Sequence, residues 1–405
     1  MEDGKLALHQ RRIFDWFTHE TFRLHDVPDG TVFAEFLDGA RMTADADGTI
    51  SFVQQNTLTA QSIFQIETVC AGSARASEIA ASNDLVIYCT GNHPVQVAKE
   101  CHDRKTLALN VQAGMAELLH KANPATVMLL ISSYPYAICA EDAVLPEIIY
   151  STHAGPQLGA AIASAISGRY TPAGRLPMTW YRSEHELPKI SDYDIETAGT
   201  TYLYFKGKPL YPFGYGLSYA DFSYDALRVY TENDRLYAEV TLHNASHTDG
   251  DEVVQVYFTV PDSAVSRPEK KLCGFQRVHL NAGEEKTVQI EIPAYILQIF
   301  DTHSERMITE AGMYRFFAGG SSADTPLQAE LTLSGEKQAI RKAQFSAQMF
   351  DSVSGIRLQY ARKLQLHYAA VVRWGGTLVY DGVPFGGKQE LTVRVSSVLH
   401  ETVLA

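Results

Sequence analysis

Three short apolar runs with helical segments between them constrain the fold of this chain more than any other feature. Asp84-Leu85-Val86-Ile87-Tyr88-Cys89, Thr126-Val127-Met128-Leu129-Leu130-Ile131 and Ile148-Ile149-Tyr150 are nearly continuous in apolar residues, without alternating polar ones. A strand reads this way when both of its faces are buried, as in a parallel sheet covered by helices. Gln112 to Ala122 places Met115, Leu118 and Leu119 on one side of a helix that Asn123-Pro124 ends, and Gly159 to Ser167 is a helix of small residues. Strand and helix alternate, so this region reads as a parallel-sheet α/β sandwich.

The pattern changes after Phe222. Leu236–Leu242, Val253–Phe258 and Lys286–Ile292 read as alternating, the mark of strands with one face in a core, and Met313–Phe317 closes the set. Several such strands with regular turns form an immunoglobulin/fibronectin-III-like β-sandwich. Before the α/β region, Asp29-Gly30, Asp38-Gly39 and Asp47-Gly48 recur nine residues apart, and Asp-Gly is a strong hairpin signal. The expected organisation is α/β plus all-β. Residues 1–75 are a small all-β module resembling one trefoil lobe and packed on its neighbour. Residues 76–220 are the α/β sandwich, 221–335 the β-sandwich, and 336–405 a partial β module.

Composition narrows the partners. The net charge of −13 over 405 residues argues against nucleic acid, which requires clustered Lys and Arg. Cys70, Cys89, Cys101, Cys139 and Cys273 are odd in number and show no Cys-x-x-Cys spacing, so free thiols are expected rather than a disulfide framework or a zinc site. No apolar run follows the first residues and none is long enough to span a bilayer. No membrane partner is expected, and the cytoplasm is the default location. The histidines lack metal-ligand spacing and no phosphate-cradling Gly-rich loop occurs, so no cofactor is expected. A Gly-x-Ser-x-Gly elbow is absent as well.

Three segments carry a family signal: Lys99-Glu100-Cys101-His102-Asp103-Arg104, Pro172-Ala173-Gly174-Arg175-Leu176-Pro177, and Leu210-Tyr211-Pro212-Phe213-Gly214-Tyr215-Gly216-Leu217-Ser218-Tyr219. Together they resemble the second domain of family 3 glycoside hydrolases, the retaining β-glycosidases. Arg267–Phe275 is similar to the loop and strand of the fibronectin-III-like domain that follows it in that family. The resemblance runs from about Asp84 to Leu333. Trp374–Tyr380 and Val383–Gly386 resemble the start of a carbohydrate-binding β-sandwich.

On spacing alone Glu100 reads as a solvated loop residue. The resemblance gives it the role of general acid/base, because the family's acid/base Glu stands three residues before an Asp-Arg pair, here Asp103 and Arg104. Some members place this group directly after the strand, near Asn92, and an Asn cannot transfer a proton. Asn92, His93, Asp103, Arg104 and Tyr134 are the candidate sugar contacts. Asp103 and Arg104 also read as a loop-pinning pair, and no His102–Asp103 dyad is expected, because adjacent side chains usually point apart. Ser132-Ser133-Tyr134-Pro135-Tyr136 follows the second strand as either a capped turn or a hydroxyl-bearing site wall. His153-Ala154-Gly155-Pro156-Gln157 reads as a packing turn ahead of a helix. Trp180 and Tyr202 read as core aromatics rather than sugar platforms.

Retaining glycosidases need two carboxyl groups about 5 Å apart across the scissile bond. The family's nucleophile is an Asp in a barrel of about 250 residues, and no matching segment occurs here. The resemblance therefore implies the C-terminal part of a β-glucosidase- or β-xylosidase-like enzyme. Such a part is expected to be inactive without a barrel-bearing partner chain and to act on β-linked glycosides. The alternative is a non-catalytic carbohydrate-binding or accessory protein derived from such an enzyme.

Overall fold

A computed structural model of the chain describes residues 22–36, 39–54, 56–67, 71–92, 104, 106–109, 114–190, 192–361, 366–371 and 375–387. The chain divides into two compact units, one of residues 1–164, 179–189 and 208–211, the other of residues 165–178, 190–207 and 212–405.

The first unit begins with an antiparallel meander, β1 (Phe22–Asp26), β2 (Val32–Phe36), β3 (Arg41–Ala44) and β4 (Ile50–Val53), in sheet order 1-2-3-4. One glycine after each of its first three strands shares a single conformation. Gly30, Gly39 and Gly48 have φ of 84°, 85° and 84°, left-handed values that glycine tolerates best. Asp29 and Asp47 each accept the backbone N–H two residues on, from Thr31 and Thr49, at 2.9 Å. Phe36, Ala40 and Phe52 form the buried centre of this sheet, the two rings edge-to-face at 4.2 Å.

Helix α1 (Gly72–Ala81) leads to β5 (Val86–Gly91), then α2 (Met115–Ala122), β6 (Thr126–Ile131), α3 (Cys139–Val144), β7 (Glu147–Ser151) and α4 (Leu158–Ile166). β5, β6 and β7 make a parallel sheet in that order, with Gly91 opposite Ile131 and Ile131 opposite Ser151. The three strands therefore end level, and the residues just past them share the sheet's carboxyl end. The parallel sheet is the one the apolar runs predict, and α2 and α4 fall on the two predicted helices; α1 and α3 had no counterpart in the sequence reading. One detail differs. The described residues cover one face of β5 only, so Thr90 is buried while Ile87 is 44% exposed and Cys89 is exposed.

The second unit holds β8 (Phe222–Glu232), β9 (Arg235–Asn244), β10 (Gly250–Thr259), β11 (Lys271–Leu280), β12 (Glu285–Ile292), β13 (Ile299–Asp301), β14 (Arg306–Ile308), β15 (Gly312–Gly319) and β16 (Leu327–Leu333). Sheets β11-β10-β15-β16 and β12-β9-β8 form the predicted β-sandwich. Alternation along each strand delivers Ala238, Val240 and Leu242 from one sheet and Val254, Val256, Tyr314 and Phe316 from the other to a single core. Two buried polar side chains tie preceding segments of the unit to it. Arg175 meets Glu252 at 2.5 Å, and Gln255 Nε2 donates to the Gly214 carbonyl at 3.1 Å. Short strands β17 (Ser352–Ser354), β18 (Ile356–Ala361), β19 (Leu366–Val371) and β20 (Thr377–Val379) pair as 17-20 and 18-19. No helix among the described residues is long and apolar enough to cross a membrane.

Candidate active-site segment

The carboxyl end of a parallel sheet is where α/β folds place their chemistry, because loops diverge there and leave a crevice. Here the level strand ends bring together Asn92 after β5, Ser132 and Ser133 after β6, and His153 after β7. The approach is close at the outset. Gly91 has φ of 141°, and a Cβ on it would lie 1.8 Å from the Ile131 carbonyl oxygen. Only glycine lets β5 finish against β6 in this way. Asn92 N–H then donates to the same carbonyl at 3.3 Å.

The buried Asn92 is also held by Ser133 and His153. Its side-chain oxygen accepts the Ser133 N–H at 3.2 Å. Its carbonyl faces His153 Nε2 at 3.2 Å, while His153 Nδ1 lies 2.8 Å from the Ser133 hydroxyl. A carbonyl can only accept, so Nε2 carries the proton. In the neutral ring Nδ1 is then the acceptor and the Ser133 hydroxyl donates to it. One imidazole thus bridges from beyond β7, across the end of β6, to the backbone leaving β5. Ser132 completes the support. Its hydroxyl donates to the Tyr134 carbonyl at 2.7 Å, and its own carbonyl accepts the Tyr150 hydroxyl at 3.0 Å.

Arg104 attaches to the same short segment. Its Nη1 donates to the Pro135 carbonyl at 2.7 Å, and its guanidinium lies 5.3 Å from the Tyr134 ring centre and 4.8 Å from that of Tyr136, within cation–π range. Burial pushes the Tyr136 phenol up from its ordinary value, with Arg104 working against that rise. Just downstream, Leu107 O accepts from Ala137 N at 2.9 Å. Glu184 takes the Thr106 hydroxyl at 2.5 Å and the Leu107 N–H at 3.1 Å. These bonds hold the Glu184 carboxyl below the usual carboxylate range, the Thr106 hydroxyl most of all.

Asn92 and Arg104, which precede and follow residues 93–103, are therefore both tied to residues 133–136. Of the candidate residues read from sequence, Asn92, Arg104 and Tyr134 are brought together here. Glu100, His93 and Asp103 lie outside the described residues, as does His102. Trp180 is a core residue and Tyr202 a half-buried one packed on neighbouring aromatics. Trp180 is 1% exposed between Tyr150 and Tyr211, and Tyr202 stacks on Phe213 at 4.2 Å with its hydroxyl accepting from Leu272 N. Sequence reasoning assigned His153 to a packing turn and passed over Glu184. The signal for His153 was its position, directly past the third strand and level with Asn92. Among the described residues, no group of three or more His, Cys, Asp or Glu is placed to hold a metal ion.

Residues 27–219 match the profile of the glycosyl hydrolase family 3 C-terminal domain, and residues 252–322 that of the fibronectin type III-like domain. The chain is similar to a beta-glucosidase of Kluyveromyces marxianus, 32% identical over 264 residues, covering 62% of this chain and 31% of that protein. It is also similar to a xylan 1,4-beta-xylosidase of Xylanibacter ruminicola, 30% identical over 258 residues, covering 60% and 29%. The chain thus spans about a third of the length of these curated relatives. Among solved structures, the Kluyveromyces marxianus beta-glucosidase in complex with glucose aligns at a TM-score of 0.60 and 29% identity, over 71% of this chain and 35% of that one. A family 3 beta-glucosidase of Bifidobacterium adolescentis aligns at 0.62 and 28%, over 68% and 43%.

Proposed function

We propose, from the premise that residues 27–219 are a glycosyl hydrolase family 3 C-terminal domain and residues 252–322 a fibronectin type III-like domain, that this chain supplies the acid/base half of a retaining β-glycosidase site. Glu100 is the proton donor on this reading. It protonates the leaving oxygen of a β-glucoside or β-xyloside and then, as carboxylate, activates the water that releases the sugar. The attacking carboxylate comes from a barrel domain outside residues 1–405.

One observation supports the reading: Asn92 and Arg104, the described residues on either side of the stretch that contains Glu100, both bond to a single five-residue segment at the carboxyl end of the parallel sheet. A proton donor must be held to within a fraction of an ångström of its target, and sites achieve this through supporting hydrogen bonds on rigid elements. Asn92, His153 and Ser133 do so at the entry, and Arg104, Tyr134 and Tyr136 at the exit. Asn92 itself, an amide in a buried frame, holds backbone and transfers no proton.

The test mixes the purified chain with the barrel domain of a family 3 enzyme that lacks its own C-terminal domain. The chain alone should not turn over nitrophenyl β-glucosides or β-xylosides, and the mixture should. Glu100→Gln should lower restored turnover by about a hundredfold or more. The loss should be greater for cellobiose than for nitrophenyl glycosides, whose leaving groups need little protonation. Turnover by the chain alone would refute the reading. Saccharide binding with no turnover in any mixture would favour an accessory carbohydrate-binding role instead.

A further inference from the structure

A cleft of about 390 Å3 opens in the second unit between residues 193–204, residues 266–271 and the start of β13. Its floor is fixed. Arg267 is clamped by Glu310 at 2.6 Å, both side chains 8% exposed, and its Nε donates to Ser263 at 3.2 Å. The Pro268 carbonyl accepts the Thr259 hydroxyl at 2.9 Å. The exposed rim is a closed turn, with Thr197 N–H on the Asp194 carboxylate at 3.1 Å and Ala198 N–H on the Asp194 carbonyl at 2.9 Å.

The floor mixes apolar surface with unspent polar capacity. Leu203, Pro268, Ile299 and the ring of Tyr204 are half-buried and apolar. Among the described residues the side chains of Glu196 and Gln298 make no hydrogen bond, and Lys271 spends one N–H, on the Ile296 carbonyl at 3.1 Å. A concave apolar floor bordered by a few convergent polar groups is the usual form of a small-ligand site. Charge decides the ligand class. Arg267 is neutralised by Glu310, so the remaining charges of the lining are Lys271, Asp194 and Glu196. An anion would meet two carboxylates against one free ammonium. The groups suit a neutral molecule with an apolar face and hydroxyl edges, since a carboxylate accepts from hydroxyls and an ammonium donates to them.

We propose that this cleft is a saccharide-binding site separate from the carboxyl end of the parallel sheet. A pyranose ring lies against Tyr204 and Leu203, with hydroxyls on Glu196, Gln298 and Lys271, and Tyr193 at the rim. Burial first, then the Glu196 charge, pushes the Tyr204 phenol up. Choosing a β-linked saccharide rests on the function proposed above; the location does not.

Titration calorimetry of the whole chain with cellobiose tests the site. A dissociation constant on the order of 1 mM is expected. Gln298→Ala should weaken binding about tenfold, and Tyr193→Ala should weaken it as well. Tyr193 is 86% exposed, so its removal leaves the fold intact, and weakening in either variant supports the proposal. Glu100→Gln should bind as the unsubstituted chain does, whatever the barrel mixture shows in turnover. No binding, equal binding in both cleft variants, loss confined to Glu100→Gln, or preference for glucose 6-phosphate over cellobiose would each overturn it.

Discussion

His153 reaches the Asn92 carbonyl at 3.2 Å although β6 runs between the strands that precede them. The bridge fixes the proton on Nε2, turns Nδ1 toward Ser133, and joins all three strand ends through one side chain.

Removing that bridge should loosen the strand ends without unfolding the sheet. His153→Ala forfeits two hydrogen bonds at a partly exposed site, and a loss of about 1–2 kcal/mol in urea unfolding is expected. Hydrogen exchange should quicken at residues 90–92 and 133 and stay unchanged in the β-sandwich. Adding Ser133→Ala should cost less than the sum of the two single changes, because they remove one shared contact.

Gly91→Ala is a harsher change. The new methyl would lie 1.8 Å from the Ile131 oxygen at a φ of 141°, so either β5 or β6 must move. Destabilisation of at least about 3 kcal/mol is expected, visible as a lower denaturation midpoint or loss of soluble protein. A change under about 1 kcal/mol would refute the close approach.

Arg104 tests whether the exit of the Glu100 stretch must be fixed. A lysine keeps the charge but loses the planar fork that binds Pro135 O while lying over Tyr134 and Tyr136. In the barrel mixture, Arg104→Lys should lower kcat/KM about tenfold or more while cellobiose binding in the second-unit cleft is unchanged. Equal turnover would detach Arg104 from the reaction.

The second unit should be acid-sensitive. Burial opposes the charge on Glu310, but bonds from Ser263, Arg267 and Ala264 N–H outweigh it and hold its carboxyl below the ordinary 4.5. Asp301 and Asp351 are likewise held below 3.8, burial being overcome by Ser304 and by Asp381 N–H foremost. A depressed carboxyl stabilises the fold above its unfolded value, and that contribution is lost as pH falls through the folded one. Urea midpoints should therefore fall steeply below about pH 4. Glu310→Gln should lower stability at pH 7, by about 3–5 kcal/mol if Arg267 stays buried, and should flatten the acid slope.

Periodicity made much of the fold legible. The run Thr126–Ile131 coincides with β6, Ile148–Tyr150 lies within β7, and the alternating segments became the sandwich strands, because burial pattern is a local property of each stretch. What stayed hidden depends on closure. Thr106 and Glu184 are 78 residues apart, and Arg175 and Glu252 are 77 apart, so neither pairing has a spacing signal. His153 was legible as a turn but not as a bridge, since its partners lie on two other loops. Of the candidate site, the family motif alone points to Glu100, while Asn92, Arg104 and Tyr134 acquire a common purpose only once the strands lie level.

Arg175, from the Pro-Ala-Gly-Arg-Leu-Pro motif, is the counter-charge to a Glu252 that is 3% exposed and also accepts the Tyr224 hydroxyl. Burial raises the Glu252 carboxyl above its usual range even with that guanidinium beside it. A gene fragment starting at Asp221 would leave this acid buried with the Tyr224 hydroxyl but without its cation, and would take the Gly214 carbonyl from the Gln255 amide. Recombination that moves the fibronectin-like portion to a new host must therefore carry the stretch from about residue 165 along with it, or supply a cation in its stead.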